Sequence, residues 1–265
     1  DTAVASVPVR RALAFKCLLE HKTICISPGE LIVGEKGPAP KHAPTFPELC
    51  CHTLQDLDIL NSREKTKFIV SPDTRRIYQG KVIPFWQGKS MRDLIFSEMT
   101  NEWMAAYEAG VFTEFMEQRA PGHTVLDDKI YSKGMLDFLA EIDETLASLD
   151  FLHDASAYDR QEELRAMRIT AQALIDFAER HAVLACALAD QEPDDQRRSE
   201  LTQIAEVCRW VPAHAPRTFW EALQYYWFVH LGVTTELNTW DAFCPGRLDQ
   251  HLFPFYTRGL AEGTL

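Results

Sequence analysis

Two long stretches of helical periodicity constrain the fold of this chain more than any other sequence feature. Residues 133–149 repeat apolar side chains every three or four positions, which is typical of an amphipathic helix packed on a core. The apolar positions are Met135, Phe138, Leu139, Ile142, Leu146 and Leu149. Residues 158–190 keep the same period for longer, until the polar residues 192–195 interrupt it. The middle of the chain therefore predicts a mostly helical fold.

Shorter patterns predict the remaining elements. Further helices are expected at residues 7–20, 54–61, 72–79, 90–97, 101–118 and 199–209. One more should begin after Thr218, which forms the pattern of a capping box with Glu221. Short β-runs are expected at 31–33, 67–70 and 233–237, because these runs are rich in β-branched or apolar residues. No repeat or linker divides the chain, so we expect one predominantly helical domain with minor strands.

Charge and cysteine usage exclude several classes of partner. The chain carries 27 Lys and Arg against 39 Asp and Glu, a net charge of −12 that disfavours nucleic acid and anionic membranes. No apolar stretch approaches the roughly 18 residues that a membrane span needs. The 7 cysteines are odd in number and irregularly spaced, which favours reduced thiols in the cytoplasm over a disulfide framework. The chain begins with Asp1 rather than Met, and we expect it to be a fragment.

Two polar runs stand out from this helical background. Residues 230–250 place the carboxylate of Asp241 between Trp240 and Phe243, and a carboxylate among aromatic side chains requires partners. In residues 112–124, a helical pattern breaks at Pro121-Gly122, directly after Arg119-Ala120 and before His123. Together the two runs supply a carboxylate, an imidazole and a guanidinium, which suffice for acid–base chemistry on a small polar substrate.

Four motifs carry a family resemblance. Residues 30–35 (ELIVGE), 43–48 (APTFPE), 117–124 (EQRAPGHT) and 238–243 (NTWDAF) occur in the order found in glycyl radical enzymes, and the chain resembles this pyruvate formate-lyase-like family along almost its whole length. The resemblance implies the N-terminal part of an α/β barrel, with strands wrapped by helices. It also implies that residues 1–265 belong to a single pyruvate formate-lyase-like domain, whose radical cysteine and radical glycine lie outside this chain.

The motifs are most similar to those of the hydroxyproline-dehydrating branch of the family. This similarity implies a lyase of anaerobic metabolism that eliminates water from a small hydroxylated substrate, with trans-4-hydroxy-L-proline expected first. By resemblance, His123 would protonate the leaving hydroxyl and Asp241 would be its partner, while Arg119 and Phe115 would contact the substrate. The implied cofactor is a protein-based glycyl radical installed by a radical-SAM activating enzyme, and the implied assembly is a homodimer.

Simpler interpretations of the same residues remain open. His123 can be an ordinary satisfied histidine, and Asp241 can cap a turn. Arg119 can pair with a neighbouring glutamate, and Phe115 can belong to the core. No metal site is predicted, because Cys50, Cys51, His52 and His42 do not have the spacing of a tetrahedral zinc site.

Two other functions also remain open. A carbon–sulfur lyase would use the guanidinium of Arg119 to bind a small sulfonate such as isethionate. A non-catalytic helical interaction fragment would need neither the radical cysteine nor the radical glycine.

Overall fold

The computed structural model describes residues 2, 4–42, 45–112, 126–236 and 244–265. Within these ranges the regular structure is helical, and no strand is present. The α-helices are α1 (Val7–His21), α2 (Leu54–Ser62), α3 (Pro72–Ile77), α4 (Ile83–Trp86), α5 (Met91–Glu98), α6 (Asn101–Glu108), α7 (Met135–Ala147), α8 (Ala157–Ala189), α9 (Asp195–Trp210), α10 (Phe219–Glu236) and α11 (Leu248–Glu262). A π-helical turn covers Tyr78–Val82 and a 3-10 turn covers Lys129–Tyr131.

The described residues form two compact units. The first contains α1 and α7–α11, and the second contains α2–α6. Among the described residues, no helix is both long enough and apolar enough to cross a membrane.

Helix α8 is the centre of the first unit. It packs against α1, α7, α9 and α10 along its 33 residues. Its buried face consists mainly of small side chains: Ala166, Ala171, Ala173, Ala178, Ala182, Ala185 and Ala189. Small side chains let neighbouring helix axes approach closely, so the alanine face allows several helices to share this one surface.

Large aromatic side chains fill the space beside this alanine face. Tyr225 and Phe228 of α10 and Phe177 of α8 are at most 1% exposed. The rings of Phe177 and Phe228 meet edge to face, with centroids 5.9 Å apart. Burying each such ring stabilises the fold by about 2–3 kcal/mol relative to leaving it in water.

The N-terminus of α10 confirms the predicted capping box. Thr218 Oγ1 accepts the N–H of Glu221 at 3.2 Å, and Glu221 Oε2 accepts the N–H of Thr218 at 3.3 Å. The carboxylate of Glu221 is buried and also accepts hydrogen bonds from the backbone and guanidinium of Arg217. These bonds satisfy the carboxylate that burial would otherwise destabilise.

Residues 22–35 form an extended segment that side chains hold in place. Arg180 donates to the carbonyl of Lys22 in this segment and to that of Leu19 near the end of α1. Arg197 donates to the carbonyls of Ser27 and Glu30. Three side chains of α10 bind the C-terminal end of this segment. Trp220 Nε1 donates to Leu31 O, and Trp227 Nε1 donates to Gly34 O. Gln224 accepts a hydrogen bond from the Val33 N–H and donates one to the Val33 carbonyl. The predicted strand at 31–33 is therefore wrong, because helix side chains replace the neighbouring strand that a sheet would supply.

The second unit consists of short helices with well-defined starts. Thr53 with Asp56 and Ser90 with Asp93 each form a capping box, and Ser71 and Thr100 cap α3 and α6. The π-helical turn buries Tyr78, whose hydroxyl donates to Thr45 Oγ1, and burial raises the pKa of Tyr78 to about 12.

The other two predicted β-runs are also corrected. Residues 67–70 are irregular, with Ile69 N–H bonded to Lys41 O at 3.0 Å. Residues 233–236 form the last turn of α10. The hydroxyl of Thr234 donates to His230 O at 2.9 Å, so this buried β-branched side chain has its hydrogen-bond partner within the helix. Helix α11 was not predicted from the sequence.

Candidate active site

The four site residues predicted from the sequence lie outside the described residues: Phe115, Arg119, His123 and Asp241. The structure describes the elements that border them along the chain. The turn at 126–131 follows residues 113–125, while α10 precedes residues 237–243 and Cys244 follows them. These bordering elements all belong to the first compact unit.

The turn at 126–131 is strained at its start and anchored at its end. Leu126 has φ 61° and Asp127 has φ 44°, so two consecutive non-glycine residues occupy the left-handed region. Each such residue costs on the order of 1 kcal/mol. Ile130 is 2% exposed and belongs to the main core. The burial of Ile130 therefore anchors the C-terminal end of the turn that begins with Leu126 and Asp127.

Helix α11 contributes an imidazole to this turn. The ring of His251 stacks on the ring of Tyr131, with centroids 5.2 Å apart and an interplanar angle of 17°. His251 Nε2 lies 3.5 Å from Asp127 Oδ1. Leu252 and Phe255 of the same helix pack with Ala222 of α10 in a small apolar cluster. The cluster fixes α11, and through it the position of the His251 ring.

Helix α10 contributes a second imidazole. Tyr226 Oη lies 3.2 Å from His230 Nδ1, one helical turn away. The indole of Trp227 stacks on the His230 ring, with centroids 5.2 Å apart and an interplanar angle of 10°. Because Trp227 also donates to the carbonyl of Gly34, the indole is held from both sides. The His230 ring is therefore held by its contacts with both aromatic neighbours.

The two phenols of this region remain protonated at neutral pH. Burial raises the pKa of Tyr131 to about 12, and the negative charges that Tyr226 and Asp127 can carry act in the same direction. Burial also raises the pKa of Tyr226, and the nearby Cys244 thiol adds to the effect. Each phenol can therefore donate one hydrogen bond and accept others. We call Tyr131, Tyr226, His230 and His251 the tyrosine–imidazole cluster.

An ion pair holds Glu236, the residue that precedes 237–243. The Arg11 guanidinium of α1 pairs with the carboxylate of Glu236 and donates to the carbonyl of Glu236 at 3.3 Å. A cation at a helix C-terminus favours the last carbonyl groups of that helix. Both motif runs are thus bordered by residues that fixed partners hold in place.

The tyrosine–imidazole cluster combines neutral hydrogen-bond donors with two imidazoles. Such groups can donate hydrogen bonds to polar neighbours and accept hydrogen bonds from them. Among the described residues, no group of three or more His, Cys, Asp or Glu side chains is arranged to hold a metal ion. The seven cysteines are all free thiols.

Sequence reasoning did not assign these four residues to a site. Tyr226 and His230 have the i, i+4 spacing of helical neighbours, a signal that could have paired them. For Tyr131 and His251 no comparable signal exists, because 119 residues separate them and only packing brings them together.

Comparisons with known proteins identify the family to which this chain belongs. The pyruvate formate lyase-like family model matches residues 1–265. The chain is 53% identical to trans-4-hydroxy-L-proline dehydratase of Clostridioides difficile over 259 residues, which cover 98% of this chain and 33% of that enzyme. It is 31% identical to isethionate sulfite-lyase of Nitratidesulfovibrio vulgaris over 98% of this chain and 32% of that protein.

A solved structure agrees with the sequence comparison. The crystal structure of hydroxyproline dehydratase from Clostridioides difficile, with trans-4-hydroxy-L-proline bound, matches with a TM-score of 0.90 and 52% identity. The match covers 99% of this chain and 33% of that one, so the chain spans about a third of the length of the proteins it resembles. The helical fold and the match along the whole chain show that this protein belongs to the pyruvate formate lyase-like family, the glycyl radical enzymes.

Proposed function

We propose that the full-length protein containing this chain is a glycyl radical lyase that eliminates water from trans-4-hydroxy-L-proline. One observation carries the proposal: identity to a hydroxyproline dehydratase is 53% across almost the whole chain, against 31% to an isethionate sulfite-lyase. The motif at 117–124 and the motif at 238–243 support the same substrate, because they supply an acid–base pair and a guanidinium for a hydroxylated amino acid.

In this proposal the downstream part of the protein supplies the radical. The glycyl radical of the family, installed by a radical-SAM activating enzyme, provides for removal of a hydrogen atom beside the carbon that bears the hydroxyl. The residues of the present chain bind the substrate, orient it and supply a proton. We further propose that the complete protein is a cytoplasmic homodimer that acts in anaerobic metabolism, with the helices of this chain wrapped around an α/β barrel.

His123 is proposed as the general acid. Hydroxide is a poor leaving group at neutral pH, so a positioned acid must protonate the hydroxyl as its bond to carbon breaks. An imidazole suits this step because its pKa lies near the working pH. Asp241 is proposed as the partner that orients the ring and favours its protonated form by opposite charge.

Arg119 and Phe115 are proposed to bind the substrate. The planar fork of a guanidinium matches a carboxylate with two parallel hydrogen bonds, and hydroxyproline carries such a carboxylate. Phe115 precedes Arg119 by four residues, a spacing that would place both on one face of a helix, and it would present an apolar wall to the ring carbons.

The test uses the full-length protein, activated without oxygen by a radical-SAM activating enzyme. Expected results are a glycyl radical signal in electron paramagnetic resonance and dehydration of trans-4-hydroxy-L-proline. Residues 1–265 alone should give neither, and serve as the matched negative control.

Isethionate is the competing substrate in the same assay, since the relative at 31% identity is an isethionate sulfite-lyase. Release of sulfite from isethionate without dehydration of hydroxyproline would replace the proposal with a carbon–sulfur lyase. Absence of any radical in the activated full-length protein would favour a non-catalytic role.

A further inference from the structure

We draw no further inference here: the strongest candidate, the exposed apolar stripe that Phe253, Tyr256 and Leu260 form on α11, carries nothing, because the chain spans about a third of the length of its relatives and nothing in the structure shows what covers this stripe.

Discussion

Val33 and Gln224 exchange two hydrogen bonds: the Val33 N–H donates to Gln224 Oε1 and Gln224 Nε2 donates to the Val33 carbonyl, each at 2.8 Å. Both residues are fully buried. The side-chain amide of a helix thereby satisfies a backbone unit that a neighbouring strand would otherwise pair. This relationship fixes residues 31–34, which include most of the 30–35 motif, against α10.

Gln224→Leu should destabilise the full-length protein by roughly 3 kcal/mol, because a buried N–H and a buried carbonyl lose their partners. The rate of amide hydrogen exchange in a peptide covering 31–35, measured by mass spectrometry, should be higher in this variant than in the wild type. Gln196→Leu is the control, since the exposed Gln196 side chain donates to the neighbouring Glu200 on the same helix, and it should change stability by less than about 0.5 kcal/mol. Unaltered exchange in Gln224→Leu would show that the amide pairing does not hold the segment.

Gly134→Ala should be strongly destabilising. A Cβ at Gly134 would lie 2.2 Å from the Ala213 carbonyl oxygen and 2.4 Å from His214 Cα, and backbone atoms cannot rotate aside. The start of α7 is also bonded to this backbone, with Met135 N–H donating to Pro212 O at 2.8 Å. We expect a loss of about 3 kcal/mol, read from the chemical denaturation midpoint.

Gly80→Ala provides the matched control for Gly134→Ala. Gly80 is in the π-helical turn, and apart from its chain neighbours and the backbone of its own helix, no atom of the described residues lies within 4 Å of a Cβ there. This substitution should be neutral or stabilise the protein by up to about 1 kcal/mol. Equal effects of the two substitutions would contradict the close backbone approach at Gly134.

His181 should make stability depend on pH below neutrality. Its ring is fully buried between Phe177 and Phe228, and burial lowers its pKa from 6.5 to about 4, with Lys22 and Arg180 adding to the shift. The unfolded state therefore binds more protons than the folded state between these values. The resulting stability is fully present above pH 6.5 and is lost as pH falls to 4, by about 3 kcal/mol in all.

His181→Gln should remove this pH-dependent contribution, because an amide does not titrate. Denaturation midpoints of wild type and variant at pH 7 and pH 5 provide the measurement. The difference between the two pH values should be smaller in the variant. If both proteins lose the same stability between these pH values, the ring is not the group that titrates.

Asp241→Asn in the full-length enzyme should retain hydrogen removal and slow elimination by about 10²–10⁴-fold, the usual range for loss of general-acid assistance. An amide cannot favour the protonated imidazole by charge. Deuterium exchange into hydroxyproline and product formation, measured together, separate the two steps. Equal slowing of both would assign Asp241 to substrate binding or to folding.

Arg119→Lys tests the proposed carboxylate contact. Lysine retains the charge and loses the two-pronged geometry, so the Michaelis constant for hydroxyproline should rise while the yield of glycyl radical stays normal. The radical yield from electron paramagnetic resonance is the internal control. An unchanged Michaelis constant would make Arg119 structural, paired with Glu114 or Glu117.

Local sequence predicted much of the helical framework. Helices α1, α7, α8 and α10 lie close to their predicted positions, because apolar period and the Thr218 capping box are short-range signals. The strand predicted from the β-branched run at 233–235 was wrong. These residues lie at the end of α10, where packing outweighs β-propensity. Helix α11 was missed despite the apolar spacing of Leu248, Leu252 and Phe255, since it contains Pro254.

The sequence by itself determined the family, and it supplies the residues of the proposed site: two motif runs with an imidazole, a carboxylate and a guanidinium in family order. Tertiary structure alone decided which side chains border those runs. His251 meets Asp127 and Tyr131, and Gln224 meets Val33, across separations of more than 100 residues. The reason is physical: periodicity and caps act over a few residues, whereas partners this distant are selected by the packing of whole helices.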